Sequence, residues 1–188
     1  MTTRLGLLGI ALAALTAMFS PMAQAGDWNY RVGESAPDFT LTGLDGKRVA
    51  LSDYKGKIVV MSFMTSWCPF CNAAVPYLEH LHQKYESRGV ETFIVDVHED
   101  KAPISEFVRK HQLTCPVALD TDGKVTARYA PPPTIAPDLK REETMIASFL
   151  IVDPQGKIQF LSLNEDTAKF DAKLTKLRAR LDQMLAGQ

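Results

Sequence analysis

Two cysteines stand two residues apart in the pentapeptide Trp67-Cys68-Pro69-Phe70-Cys71. A pair at this spacing can close a small disulfide ring or hold a soft metal ion. A structural zinc site usually wants four Cys or His ligands. This chain has one further cysteine, Cys115, and no second Cys-x-x-Cys or paired-His motif. His80 and His82 are close in sequence, but two apart on a helix they point to different faces and read as solvated surface residues. Thiol–disulfide exchange is therefore the chemistry to expect, with a purely structural disulfide as the bland alternative.

The flanking elements must position the pair. Lys57 to Met64 is a short apolar run of strand type. Asn72 to Leu81 reads as a helix, with Val75, Leu78, Leu81 and Tyr85 forming an apolar stripe. Strand, tight turn and helix put Cys68 at or just before a helix N-terminus. Unpaired backbone N–H groups and the positive end of the helix dipole there favour a thiolate. Cys71 falls one turn inside, more shielded, where it can attack a mixed disulfide formed on Cys68.

The rest of the chain reads in order. Pro37 to Leu41 and Arg48 to Leu51 form a hairpin pattern around Leu44-Asp45-Gly46-Lys47. Pro76 should kink or restart the first helix, and Gly89 should end it. Val90 to Val97 is a second central strand, Pro103 opens a helix to about His111, and Val117 to Leu119 is a brief strand followed by a helix over Lys124 to Tyr129. A Pro-rich insertion at 130–144 cannot be regular helix or central strand over its prolines. Ala147 to Val152 and Ile158 to Leu163 form a terminal hairpin, and Ala168 to Leu185 an amphipathic helix with Phe170, Leu174, Leu177, Leu181 and Leu185 on one face.

Compartment follows from the first residues. Arg4, an apolar stretch from Leu5 to Phe19 and Ala23-Gln24-Ala25 have the form of a bacterial secretory signal peptide over 1–25, cut before Gly26. The stretch is short for a span of about 20 residues, so no stable membrane span is expected after cleavage, and the address is periplasmic or secreted. One domain over 26–188 suits the length and the 46% hydrophobic content. Net charge of −1, about −2 once Arg4 is gone, offers no large basic field for nucleic acid. In an oxidising compartment Cys68 and Cys71 can persist as a disulfide, leaving Cys115 over.

The constellation resembles the thioredoxin superfamily. Gly33-Glu34-Ser35-Ala36-Pro37-Asp38-Phe39-Thr40-Leu41, Asp45-Gly46-Lys47, Leu51-Ser52 and Lys55-Gly56-Lys57 are similar to the lead-in of its TlpA/ResA-like, AhpC/TSA-related thiol–disulfide oxidoreductases, and the likeness runs from about Val32 to about Phe160. The resemblance and the element order imply an α/β fold, a thioredoxin-like three-layer sandwich with a central mixed sheet and an N-terminal β-hairpin extension. Right-handed crossover supports parallel pairing of the strands at Ile58 and Phe93. The resemblance implies protein thiol and disulfide substrates, with a membrane thiol reductant and cytochrome c maturation clients as partners. It implies no cofactor beyond the Cys68–Cys71 disulfide and no metal. A thiol peroxidase and a non-enzymatic Cu(I)-binding domain are the alternatives; the first lacks a Pro-x-x-x-Thr-x-x-Cys pattern around Cys68.

By the same resemblance Pro69 and Phe70 tune the redox poise, and Trp67 is a flat apolar wall for a partner. Ser62 stands where thioredoxin has a buried Asp, and Ala74 where many TlpA/ResA-like proteins have Glu, so no proton acceptor for Cys71 is named. Anchoring on Asp153-Pro154-Gln155-Gly156 puts Ala147 at the family's cis-proline and makes Ile146 and Ala147 the expected substrate-docking loop. With Ala there, the peptide is expected to be trans. Cys115 is either a small buried hydrophobe or a candidate third redox cysteine.

Overall fold

The computed structural model describes residues 31–130, 138–163 and 170–187. The signal-peptide region, residues 26–30, the prolines at 131–133 and 137 and the expected first residues of the last helix lie outside them.

Seven strands form one mixed sheet in the order β2-β1-β5-β4-β3-β6-β7. β3 (Ile58–Met64) is buried at every residue. Both its faces are covered by helices, which is why its sequence is a continuous apolar run rather than an alternation. It pairs in parallel with β4 (Val90–Val97), Ile58 opposite Val90 and Met64 opposite Asp96, and antiparallel with β6 (Ser148–Val152). β4 pairs in parallel with β5 (Val117–Asp120), and β6 antiparallel with β7 (Ile158–Ser162).

The hairpin of β1 (Thr40–Gly43) and β2 (Arg48–Ala50) extends the sheet, β1 pairing antiparallel with β5. It starts three residues later than the pattern suggested. Asp38 bonds the backbone N–H of Phe39 and of Ser52, holding that stretch as a corner. The connection after β2 is a short 3-10 turn over Leu51–Tyr54.

The two faces carry separate cores. On one, β3 and β4 contribute Ile58, Val60, Met64, Val90 and Ile94 to a cluster with α1 (Pro69–Tyr85), α2 (Lys101–His111) and α5 (Thr175–Ala186). On the other, Val59, Met61, Phe63, Phe93, Val95 and Val97 pack with Phe39, with Val125 and Tyr129 of α3 (Lys124–Tyr129) and with Met145, just after α4 (Arg141–Thr144). β3-α1-β4 and β4-α2-β5 step the same way across the sheet, so right-handed crossovers put α1 and α2 on one face.

The chain's first described stretch lines one edge of this sheet before it enters β1, next to the other edge. Gly33 and Ala36 donate backbone bonds to Ile158 and Gly156, and Ile158 donates to Glu34, so residues 33–36 line β7. A few residues later the same stretch becomes β1, against β5.

Several boundaries differ from expectation, each for a local reason. α1 runs unbroken through Pro76, which is exposed and whose ring leaves the Asn72 carbonyl without its intrahelical donor. α2 begins at Lys101, and Pro103 sits in its first turn, where no intrahelical N–H bond is needed. Residues 141–144 of the expected insertion are a short helix. α5 starts at Thr175 rather than 168, because Leu174 is left-handed at φ 54° and the Asp171 carboxylate takes the Lys176 N–H, capping the helix. His82 is 8% exposed, not a surface residue, since it lies one turn beyond Leu78 on the packed side of α1.

Candidate active site

β3 ends at Met64, and the chain turns through Thr65–Trp67 into α1. Cys68 is the N-cap of that helix, and its Sγ accepts the Cys71 N–H at 3.4 Å. Pro69 follows at the first helical position, where its fixed φ suits the helix and its missing N–H costs nothing. Both cysteines are free thiols.

Electrostatics separates the two sulfurs. The hydrogen bond from the Cys71 side chain, helped by the Cys71 and Phe70 N–H groups, lowers the Cys68 thiol to about 6 against the opposing effect of burial. The same hydrogen bond to Cys68, followed by burial, raises Cys71 far above an ordinary thiol. The Thr65 and Ala147 N–H groups work weakly the other way on Cys71. At neutral pH the arrangement therefore holds one proton between two sulfurs, with the negative charge on Cys68.

Cys68 is only 4% exposed, more closed than a helix-start position suggests. Its side chain turns under the first helical turn to reach the Cys71 N–H, and so joins the core cluster that holds Cys71, Ala147 and Phe149. Trp67, by contrast, is 67% exposed beside it. Phe70 packs edge-on against Phe170, ring centroids 5.1 Å apart, and Phe170 in turn lies 6.4 Å from Phe149. Ile146 packs against both cores.

Ala147 is trans and left-handed, φ 65°, and 2% exposed. Its N–H donates to the Phe63 carbonyl at 2.9 Å and lies within reach of the Cys71 sulfur. The Met145 and Ile146 N–H groups are already bonded, to the carbonyls of Glu142 and Glu143.

Other groups at the turn carried no recognisable spacing. Ser66 is held by Glu99, which accepts from both its N–H and its Oγ, the latter at 2.6 Å. Asn72 reaches back from α1 to the carbonyls of Ser66 and Cys68, and His111 at the end of α2 meets its Oδ1. Asp96, fully buried in β4, is raised to about 8, first by burial and then by the neighbouring Glu99 carboxylate. Asp96 alone was legible, as an acid inside the apolar run Ile94-Val95-Asp96-Val97.

Cys115 lies elsewhere. With Val117 opposite Ile94, it sits about four residues, roughly 13 Å, back along the sheet from the Met64 level. That exceeds the reach of a disulfide to Cys68 without backbone movement. Glu79 of α1 accepts the N–H groups of Thr114 and Cys115, and burial, then Glu79, pushes the Cys115 thiol up to about 12. Cys115 also lines a cavity of about 580 Å³ with Leu44, Arg48, Tyr54 and Val108, remote from the active pair.

Among the described residues, no group of three or more His, Cys, Asp or Glu side chains could hold a metal ion. None of their helices is long and apolar enough to cross a membrane.

Residues 32–161 match the AhpC/TSA family. The chain is 34% identical over 137 residues to the thiol-disulfide oxidoreductase ResA of a Bacillus cereus strain, covering 73% of this chain and 72% of that one. It is 32% identical over 155 residues to ResA of Bacillus subtilis (strain 168), covering 82% and 80%. Among solved structures it is similar to a candidate protein disulfide isomerase from Bacteroides thetaiotaomicron, at TM-score 0.69 and 27% identity over 83% of this chain and 91% of that one. It is also similar to a secreted disulfide oxidoreductase of Mycobacterium tuberculosis, at TM-score 0.62 and 26% identity over 77% and 95%.

Proposed function

The chain belongs to the AhpC/TSA family, among its ResA-like thiol–disulfide oxidoreductases, and on that premise we propose that Cys68 and Cys71 exchange disulfides with exported protein substrates. The protein is a thiol–disulfide oxidoreductase of thioredoxin-like fold. The observation that carries the residue roles is the asymmetry of the pair: Cys68 at the helix cap is lowered to about 6, while Cys71 inside the first turn is raised.

In the reducing direction, the Cys68 thiolate attacks one sulfur of a substrate disulfide. A Cys68–substrate bond forms, and the other substrate sulfur leaves as a thiolate. Once Cys68 is bound, the hydrogen bond to its thiolate that raised Cys71 is gone, and with it the thiolate's charge, so Cys71 loses its proton more easily. Its sulfur then attacks Cys68, forming the Cys68–Cys71 disulfide and releasing the second substrate thiol. Two electrons have passed to the substrate, and the pair needs a thiol donor to start again. A membrane thiol carrier is the proposed donor, and cytochrome c maturation clients are the proposed substrates. The leader at 1–25 supports export to the periplasm or beyond.

Trp67 and Phe70 would offer the apolar docking wall, with the half-buried Ile146 as a further side-chain contact and the buried Ala147 as its support. Because the Met145, Ile146 and Ala147 N–H groups already have partners, docking would rely on side-chain contact more than on backbone pairing.

Trapping tests the roles. A Cys71→Ser protein, mixed with disulfide-bearing client proteins, should accumulate mixed disulfides that map to Cys68 by mass spectrometry. Adducts on Cys115, or none in a folded protein, would count against the assignment.

A further inference from the structure

Asn72 makes three side-chain hydrogen bonds at the turn. Its Nδ2 donates to the Ser66 carbonyl and to the Cys68 carbonyl, each at 2.9 Å, and its Oδ1 faces His111 Nε2 at 3.1 Å. The amide orientation is forced, since an oxygen turned toward two carbonyls would meet only acceptors. Oδ1 must then receive a proton, so His111 must carry hydrogen on Nε2. The His111 ring is itself seated against Phe107, centroids 4.4 Å apart.

We propose that Asn72, locked by His111, is a positioning residue that clamps the Ser66–Cys68 turn onto α1 and so keeps the Cys68 sulfur over the N–H groups that stabilise its thiolate. The proposal rests on Cys68 being the attacking thiol and adds what holds it in place. The Cys68 carbonyl accepts from the Asn72 backbone N–H at 3.0 Å as well as from Nδ2, so both its lone pairs are engaged by one residue. The peptide after Cys68 cannot rotate without breaking these bonds. Rotation of that peptide would carry Sγ away from the Cys71 N–H. Glu99 holds Ser66 from the side of β4, two residues short of the peptide that Asn72 fixes. His111 acts at second hand: without it Asn72 Oδ1 loses its donor and the side chain one of its three anchors.

The test is the pH midpoint of Cys68 thiolate absorbance near 240 nm in the reduced full-length protein, expected at about 6 in the natural sequence. Cys115, pushed up to about 12, lies outside that window. Asn72→Ala should raise the midpoint by about 1 pH unit, and His111→Ala should raise it in the same direction. His111→Gln, which keeps an N–H donor, should return it toward the natural value. A merely structural role would not give this rescue. Midpoints unmoved in folded Asn72→Ala and His111→Ala would overturn the clamp. Nitrogen-15 NMR of His111 in the unaltered protein gives an answer independent of variant folding: hydrogen on Nε2 is expected, and the Nδ1-protonated tautomer would overturn the proposal. If alkylation of the natural protein at pH 6 mapped to Cys71, the role of Cys68 would fall and the clamp with it. Labelling at Cys68 with an unmoved midpoint would overturn the clamp alone.

Discussion

Replacing Ala147 by proline should cost this protein much of its stability, although a proline is what the family resemblance leads one to expect there. The ring holds φ near −65°, whereas Ala147 sits at +65° with its side chain buried. Proline also removes the N–H that donates to the Phe63 carbonyl at 2.9 Å. A buried carbonyl left without a donor costs about 1–3 kcal/mol. Swinging the backbone out of the left-handed region disturbs the first pair of β6, Ser148 opposite Phe63, for roughly 1–3 kcal/mol more. The sum is about 2–6 kcal/mol out of a typical 5–15 kcal/mol, or a fall in Tm of about 4–24 °C. Ala147→Gly is the control. It relieves about 1 kcal/mol of left-handed strain, offset by about 0.5–1 kcal/mol of chain entropy and about 0.8 kcal/mol for one buried methyl. It should therefore stay within about 1 kcal/mol of the natural protein. Urea unfolding of the reduced proteins, followed by far-UV circular dichroism, measures all three. A proline variant as stable as the natural sequence would refute the reasoning, because it would mean that neither the left-handed turn nor the bond to Phe63 holds this loop.

Cys71→Ala should raise the Cys68 midpoint from about 6 toward the ordinary thiol value near 9, since the bond from Cys71 is the leading cause of the lowering; an unmoved absorbance titration would contradict this. Asp96 is held protonated up to about 8 when folded but ionises near 3.8 when unfolded, so the native state binds the extra proton between those values and stability falls as pH rises across that window. Asp96→Asn should flatten the slope and gain roughly 2–4 kcal/mol at pH 8, read from urea midpoints at pH 5 and 8; parallel slopes would defeat the argument. Cys115 should resist iodoacetamide at pH 8 in the folded, reduced protein and label only on unfolding; quantitative native labelling would show that its surroundings open.

What was legible follows the range of the interaction. β3 and α1 were readable because their burial is periodic and local: every residue of one strand, and the 75-78-81-85 stripe of one helix. The place of Cys68 at a helix start followed from the same two elements. Ala147 could be located from the turn at Asp153–Gly156, but alanine has no preference for left-handed backbone, and only the bond to Phe63 reveals that conformation. Asn72 stands next to Cys71, yet its role depends on His111 and on the Ser66 carbonyl, which the folding of α2 beside α1 brings within reach. Glu99 reaches Ser66 because β3 and β4 end side by side. The apolar spacing of Phe170 and Leu174 predicts a longer last helix than the one that forms, because the bond from the Lys176 N–H to Asp171 is not encoded in spacing.

The strap at residues 33–36 has a consequence for the order in which the fold is completed. Its backbone partners, Gly156 and Ile158, lie near the other end of the chain. When the polypeptide emerges N-terminus first, β1 through β5 can begin to pair while the strap has nothing to bind. It can lock only after β6 and β7 have closed onto β3. Pairings of such long sequence separation carry the largest loop-closure cost, so the strap belongs to the late steps of folding. Until then β7 presents an open edge to other chains. The strap is thus a latch on the finished sheet, and truncation past Ala36 should reveal itself as self-association during refolding before it alters the chemistry of the cysteine pair.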